Sequence, residues 1–198
     1  MPRGNSSKTS ARSLVERLNG RSSIDVYEAA KAIWERDDPR TLRSVIRTLK
    51  RGKMALNRAA AAYALHLMHG RTAVAALETT LQNKQEHPKV RGQAAESLAI
   101  THRASSHRVL LRNLQDPSKE VRFWCAYALA EMGDTDALAG LRKLAKEDQR
   151  IVKCFWSVSR EATWAIRRIR EGSRRNGRRK RCLFCTKAWS RSNRPGFR

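Results

Sequence analysis

Acidic side chains are scarce in this sequence: 18 Asp and Glu stand against 42 Lys and Arg, a formal net charge of +24. So one-sided a balance points to an acidic or polyanionic partner and carries no information about fold. Cysteine is rare as well, at 4 residues. With no apolar h-region in "MPRGNSSKTSARSLVERLNG", which excludes a secretory signal there, the cysteines read as reduced thiols of a cytoplasmic protein. No apolar run approaches the roughly 18 residues that a spanning helix needs. Alternating strand patterns, a Gly-rich phosphate loop and a nucleophile elbow are all missing.

What is present is a repeat. In "KEVRFWCAYALAEMGDTDALAGL", Cys125 and Ala126 lie 3 and 4 residues after Arg122, and Ala128 and Leu129 lie 6 and 7 after it. The same offsets from Arg91 give Ala94, Ala95, Ser97 and Leu98, and from Arg58 they give Ala61, Ala62, Ala64 and Leu65. From Val26 they give Ala29, Ala30, Ala32 and Ile33, and from Ser159 they give Ala162, Thr163, Ala165 and Ile166. The starts are 32, 33, 31 and 37 residues apart. Offsets of 3, 4 and 7 share one helical face, and small residues there let a neighbouring helix come close.

Each such helix is followed by a break and a second amphipathic segment. The apolar faces of these segments are Leu42, Ile46, Leu49; Val74, Leu77, Leu81; Leu110 or Leu111 with Leu114; and Leu138, Leu141, Leu144. Gly70 and Gly133 suit positive φ at helix ends, Ser105, Asp116 and Asp134 suit caps, and Pro39, Pro88 and Pro117 suit first turns. A pair of about 30 residues cannot bury its apolar face alone, so the pairs stack into an all-α solenoid. The expected organisation is a basic flexible leader with a short helix over 1–23, a solenoid of about five helix pairs over 24–171, and a basic, disordered tail over 172–198.

"HPKVRGQAAESLAI" and "DPSKEVRFWCAYALAEMGDTDAL" resemble HEAT repeats of the phycobilisome-lyase-like subtype. The resemblance implies a right-handed superhelix that serves as a protein-binding scaffold. A family built from similar repeats, deoxyhypusine hydroxylase, holds a di-iron centre through His-Glu pairs just after the repeat arginine. Here those positions hold Tyr27-Glu28, Ala59-Ala60, Gly92-Gln93, Phe123-Trp124 and Arg160-Glu161, and no His-Glu. Without imidazole and carboxylate together, no iron site of that kind is expected. Bilin-lyase activity has no motif to support it.

Four tryptophans (Trp34, Trp124, Trp156, Trp164) superficially resemble those of a helical-repeat alkylpurine DNA glycosylase, but Trp34 and Trp164 fall near helical seams, where tryptophan is a core residue. His66 and His69 share a helical face without a convergent carboxylate or Cys, and the histidines read as exposed helix-end residues. Cys182 and Cys185 form half of a zinc-knuckle spacing, which leaves incidental thiols, a metal shared across a dimer and a redox pair open. No catalytic residue, cofactor or metal is expected.

Two basic features remain. The second helices are expected to line the concave surface with Arg43, Arg47, Lys50, Arg108, Arg112, Arg142, Lys143 and Lys146. The tail holds Arg174, Arg175, Arg178, Arg179, Lys180 and Arg181 with no acid among its residues, a pattern that binds polyanions. Phe184, Trp189 and Phe197 interleave with its cations and suit stacking on bases, while an acidic protein or anionic lipid fits the charge equally. The expected function is a noncatalytic adaptor for another protein, with RNA or DNA binding as the alternative. Recurring at the repeat period, Arg58, Arg91 and Arg122 are expected to bond loop carbonyls or the Asp of an adjacent turn. Phe123 and Trp124 are expected off the main seam, either packed on the insert Ile151 to Val158 or exposed for a partner.

Overall fold

The structure is a computed structural model and describes residues 10–66, 70–101 and 103–174. Ten helices follow one another among these residues: α1 Ala11–Leu18, α2 Ser23–Arg36, α3 Leu42–Arg51, α4 Ala55–Ala64, α5 Arg71–Gln82, α6 Pro88–Leu98, α7 Ala104–Asn113, α8 Lys119–Met132, α9 Leu138–Glu147 and α10 Val158–Arg174. Short 3-10 turns, Pro39–Thr41 and Thr135–Ala137, lead into α3 and α9. A single antiparallel bridge, Ile151 to Ser157, is the only β-type pairing among the described residues. The all-α solenoid stands.

The phase of the repeat differs from the sequence reading. Within the segment read as a flexible leader, α1 packs Leu14 and Leu18 into the core against α2. Each repeat-arginine helix is therefore the second member of its pair: α1 with α2, α3 with α4, α5 with α6, α7 with α8, and α9 with α10. The described residues make five complete units, each ending on its repeat-start helix. The final helix runs to Arg174, past the boundary drawn at 171.

Small residues set the spacing of the two rows. Ala29, Ala30, Ala61, Ala62, Ala94, Ala95, Cys125 and Ala126 are all buried where α2, α4, α6 and α8 face one another. Those helices pack intimately with their neighbours in the row, and α10 continues the series. The approach is close enough for the Ser97 hydroxyl of α6 to donate to the Ala62 carbonyl of α4, at 2.9 Å. In the other row α1, α3, α5 and α7 meet only sparsely, and α7 and α9 hardly touch. In a curved two-layer stack the tighter row lies inside the bend and the looser row outside. The inner row is thus α2, α4, α6, α8 and α10.

Helix ends follow simple chemistry. Ser10 and Ser22 cap α1 and α2 with their hydroxyls, and Asp38 and Asp134 cap the two 3-10 turns. Gly133 closes α8 at φ 70°, a conformation glycine adopts without strain. Gly70, by contrast, precedes α5 at φ −62°, and Ser105 lies inside α7, so neither plays the part its sequence suggested. Pro39 and Pro88 occupy first-turn positions as expected, whereas Pro117 precedes the first residue of α8, Lys119, by two.

Candidate functional site

Three repeat arginines tie successive units together. Arg58 grips Glu86 through two nitrogens, Nε at 2.7 Å and Nη2 at 2.8 Å, and its Nη1 donates to the Gly52 carbonyl at 2.7 Å. Arg91 donates to the Leu81 carbonyl at 3.0 Å and pairs with Asp116, whose carboxylate also takes Lys84. Arg122 pairs with Asp148 at 2.7 Å and donates to the carbonyls of Asp116 and Pro117. Its Nη2 lies 2.7 Å from Asp148 Oδ2 off the hydrogen-bonding direction, so that contact is coulombic rather than a hydrogen bond. Both expected partners, loop carbonyls and turn carboxylates, are used. Burial opposes ionisation of Asp116 and Asp148, but hydrogen bonds from Arg91 and Lys84 to the first, and from Arg150 and Arg122 to the second, outweigh it and hold both carboxyls below the usual range. Glu86 behaves alike, with Arg58 and the His87 amide overcoming burial.

On the inner row, the positions one, two and five residues after each repeat start form a continuous face. Tyr27 and Glu28 lie on α2, Tyr63 on α4, Gln93 and Glu96 on α6, Trp124 and Tyr127 on α8, and Arg160, Glu161 and Trp164 on α10. Aromatic pairs bridge neighbouring helices: Trp34 stacks on Tyr63 with centroids 6.0 Å apart, and Tyr127 on Trp164 at 5.9 Å and 10° between planes. Of the tryptophans near the seams, Trp164 is a half-buried margin of the core, while Trp34 is half-buried on Tyr63 and is not packed into it. Gln93 donates to Glu96 at 2.9 Å. Burial, and then the charge of Glu96, push the Tyr27 phenol up, so it stays protonated as a hydrogen-bond donor near that carboxylate.

Phe123 and Trp124 take the insert-packing alternative. Phe123 is fully buried in a second small cluster with Val152 and Val158, flanked by Phe155 and Trp156. Trp124 is half-buried, edge-on to Phe155 at 5.2 Å, and lies over Gly92 of the preceding inner helix. A Cβ added at Gly92 would stand 2.7 Å from Trp124 Cδ1, so only glycine lets the indole settle there. The Trp156 indole N–H donates to the buried Glu161 carboxylate at 2.7 Å.

The basic residues expected on the concave surface lie elsewhere. Arg43, Arg47 and Lys50 sit on α3, Arg108 and Arg112 on α7, and Arg142, Lys143 and Lys146 on α9, all exposed on the looser outer row. The inner row was misassigned because the pairs were phased one helix late. Arg174 ends α10, and Arg175, Arg178, Arg179, Lys180, Arg181, Cys182 and Cys185 lie outside the described residues, as do His69 and His102. His66 is buried rather than exposed, and His107 pairs with Asp134 at 2.7 Å. Burial pushes the Cys125 thiol far up, so this cysteine is an inert core residue.

Residues 80–167 match the HEAT repeats family. That segment, from the end of α5 into α10, is built of HEAT repeats. Over 75 residues it is 40% identical to deoxyhypusine hydroxylase of Arabidopsis thaliana, a match spanning 37% of this chain and 24% of the hydroxylase. The structure of human deoxyhypusine hydroxylase in complex with glycerol is 26% identical, with TM-score 0.53, and is matched over 64% of this chain and 44% of that one. The complex of CpcE and CpcF of phycocyanin lyase from Nostoc sp. PCC7120 shares the fold at 20% identity, with TM-score 0.59, over 84% of this chain and 68% of that one. That likeness is one of fold, an all-α solenoid. The chain thus spans less than half the length of the hydroxylases it matches.

These relatives correct the functional expectation. A noncatalytic adaptor, with nucleic-acid binding as its alternative, is at odds with a 40% identical segment shared with an enzyme. The expectation that the chain is no enzyme falls with it. The di-iron donor set still does not fit here. No histidine stands at any of the inner-row positions where His-Glu pairs would be: Glu28 and Glu161 are their two carboxylates, Glu161 is occupied by Trp156, Trp124 packs on carbon, and Ala59, Ala60, Gly92 and Phe123 bring no side-chain donor. Among the described residues no three His, Cys, Asp or Glu side chains converge on a metal-sized site. No helix among them is long and apolar enough to cross a membrane.

Proposed function

We propose that this chain is one HEAT array of an enzyme whose substrate site lies between its inner row and a second HEAT array. The observation that carries this reading is the 40% identical segment, which accounts for only 24% of the hydroxylase. An array that corresponds to part of an enzyme needs the remainder to enclose a site. The lyase likeness favours a separate chain as that remainder, because its structure is a complex of two chains. Tyr27 as donor, and Glu96 as acceptor with Gln93 orienting its carboxylate, supply hydrogen bonding on this face. Trp124 and Trp164 supply half-exposed apolar surface for the opposing array.

Placing a photo-cross-linking residue at exposed Glu28 on the inner row, and separately at exposed Arg47 on the outer row, tests this in the full chain expressed in its source cells. A HEAT-repeat protein trapped at residue 28 and not at residue 47 is the expected result. Trapping of such a chain only at residue 47 overturns the arrangement. Reconstitution with ferrous iron is expected to leave far less than one iron per chain, and stoichiometric iron would restore the hydroxylase-type centre.

A further inference from the structure

The outer row opens between α7 and α9, where a groove of about 550 Å³ is lined by both helices and by the turns at 115–117 and 147–150. Its apolar side is Leu111 and Leu114 of the α7 end and Leu144 of α9, with Leu111 and Leu144 half-exposed. Leu114 packs directly on Gly140, where an added Cβ would sit 3.0 Å from Leu114 Cδ1, so the glycine lets this side chain form the floor. The carboxylates on its walls are already committed, Asp116 to Arg91 and Lys84, and Asp148 to Arg122 and Arg150. Lys143 on the α9 wall is exposed and has no ion pair among the described residues. Arg108, one turn before Leu111 on α7 and beyond the lining itself, is exposed and unpaired in the same sense, and Arg112, Arg142 and Lys146 are exposed on the same two helices. Glu147 is the sole exposed acid on the lining.

We propose that this groove docks a short acidic segment of a partner protein, with leucine-like side chains on the Leu111–Leu144 floor and carboxylates at Arg108 and Lys143. Charge complementarity selects the occupant. The free cations need an anion, and the apolar floor needs carbon that a sugar-phosphate chain does not offer. The site lies on the outer row, so it operates whether or not the inner row faces a second array.

The test is fluorescence anisotropy of a labelled peptide alternating Glu and Leu, titrated with the full chain at moderate salt. Arg108→Glu with Lys143→Glu is expected to weaken binding about tenfold or more, whereas Arg43→Glu with Arg47→Glu, the same charge change on α3, should alter it less than about twofold. Replacing the peptide leucines by serine should cost a further several-fold through the lost apolar contact. All four substituted cations are exposed, so folding is untouched. Equal losses from the two pairs, indifference to the leucines, or displacement by single-stranded RNA as effective as by unlabelled peptide would each overturn the proposal.

Discussion

Substituting Arg91 by Met removes the cation that neutralises the most deeply buried carboxylate of the ion-pair series. The Arg91 and Asp116 side chains are 2% and 0% exposed, and the remaining partner, Lys84, is 54% exposed. Water cannot replace the guanidinium, so the variant carries a buried carboxylate held mainly by a solvated amine, and the Leu81 carbonyl loses a donor. Stripping one partner from a buried pair costs about 3–5 kcal/mol. Arg58→Met is the matched control, because Arg58 and Glu86 are 20% and 12% exposed and water can take over part of the pairing. Its cost should be about 1–2 kcal/mol, near that of hydrogen bonds to a charged group. Urea unfolding of the full chain measures both. With a slope of about 2 kcal/mol per molar, the Arg91→Met midpoint should fall by about 1.5–2.5 M and the Arg58→Met midpoint by less than about 1 M. Stacked repeats can unfold piecemeal, so circular dichroism and tryptophan fluorescence must coincide before one free energy is assigned. Equal midpoint shifts for the two variants would refute the argument that burial, rather than the mere presence of a repeat arginine, sets the strength of these ties.

Gly92→Ala should destabilise the array by about 1–3 kcal/mol through overpacking against Trp124, and adding Trp124→Leu should recover part of that loss; the same urea titration decides, and a neutral Gly92→Ala would mean the indole shifts freely. Acidification should weaken the fold. Glu86, Asp116 and Asp148 have carboxyls held below their unfolded values, so their stabilisation is complete above the ordinary carboxylate range near pH 4 and disappears as pH falls through the lower folded values. Thermal melts below about pH 4 should show the decline, with a smaller drop in Arg91→Met, where Asp116 has lost its main partner.

The sequence by itself determined the repeat, its period and the helical class, because small residues at offsets of 3 and 4 from each start leave no other use than close helix packing. The linking role of Arg58, Arg91 and Arg122 was legible for the same reason: a cation that returns every 31 to 33 residues serves the repeat. Which row is inner was not legible. It depends on α1, a helix of 8 residues whose two buried leucines look, in sequence, like part of a polar leader. Counting α1 shifts every pair by one helix and moves Arg43, Arg47, Lys50, Arg108, Arg112, Arg142, Lys143 and Lys146 from the presumed concave surface to the outer row. The α7–α9 groove was equally hidden, because a gap between two helices that hardly touch is a property of stacking and of no local pattern. Likewise Gly92 reads as an ordinary weak point of a helix until Trp124, 32 residues away, is seen to need the missing methyl. Periodic burial is written along the chain, while curvature, gaps and cross-repeat contacts arise only when the units are stacked.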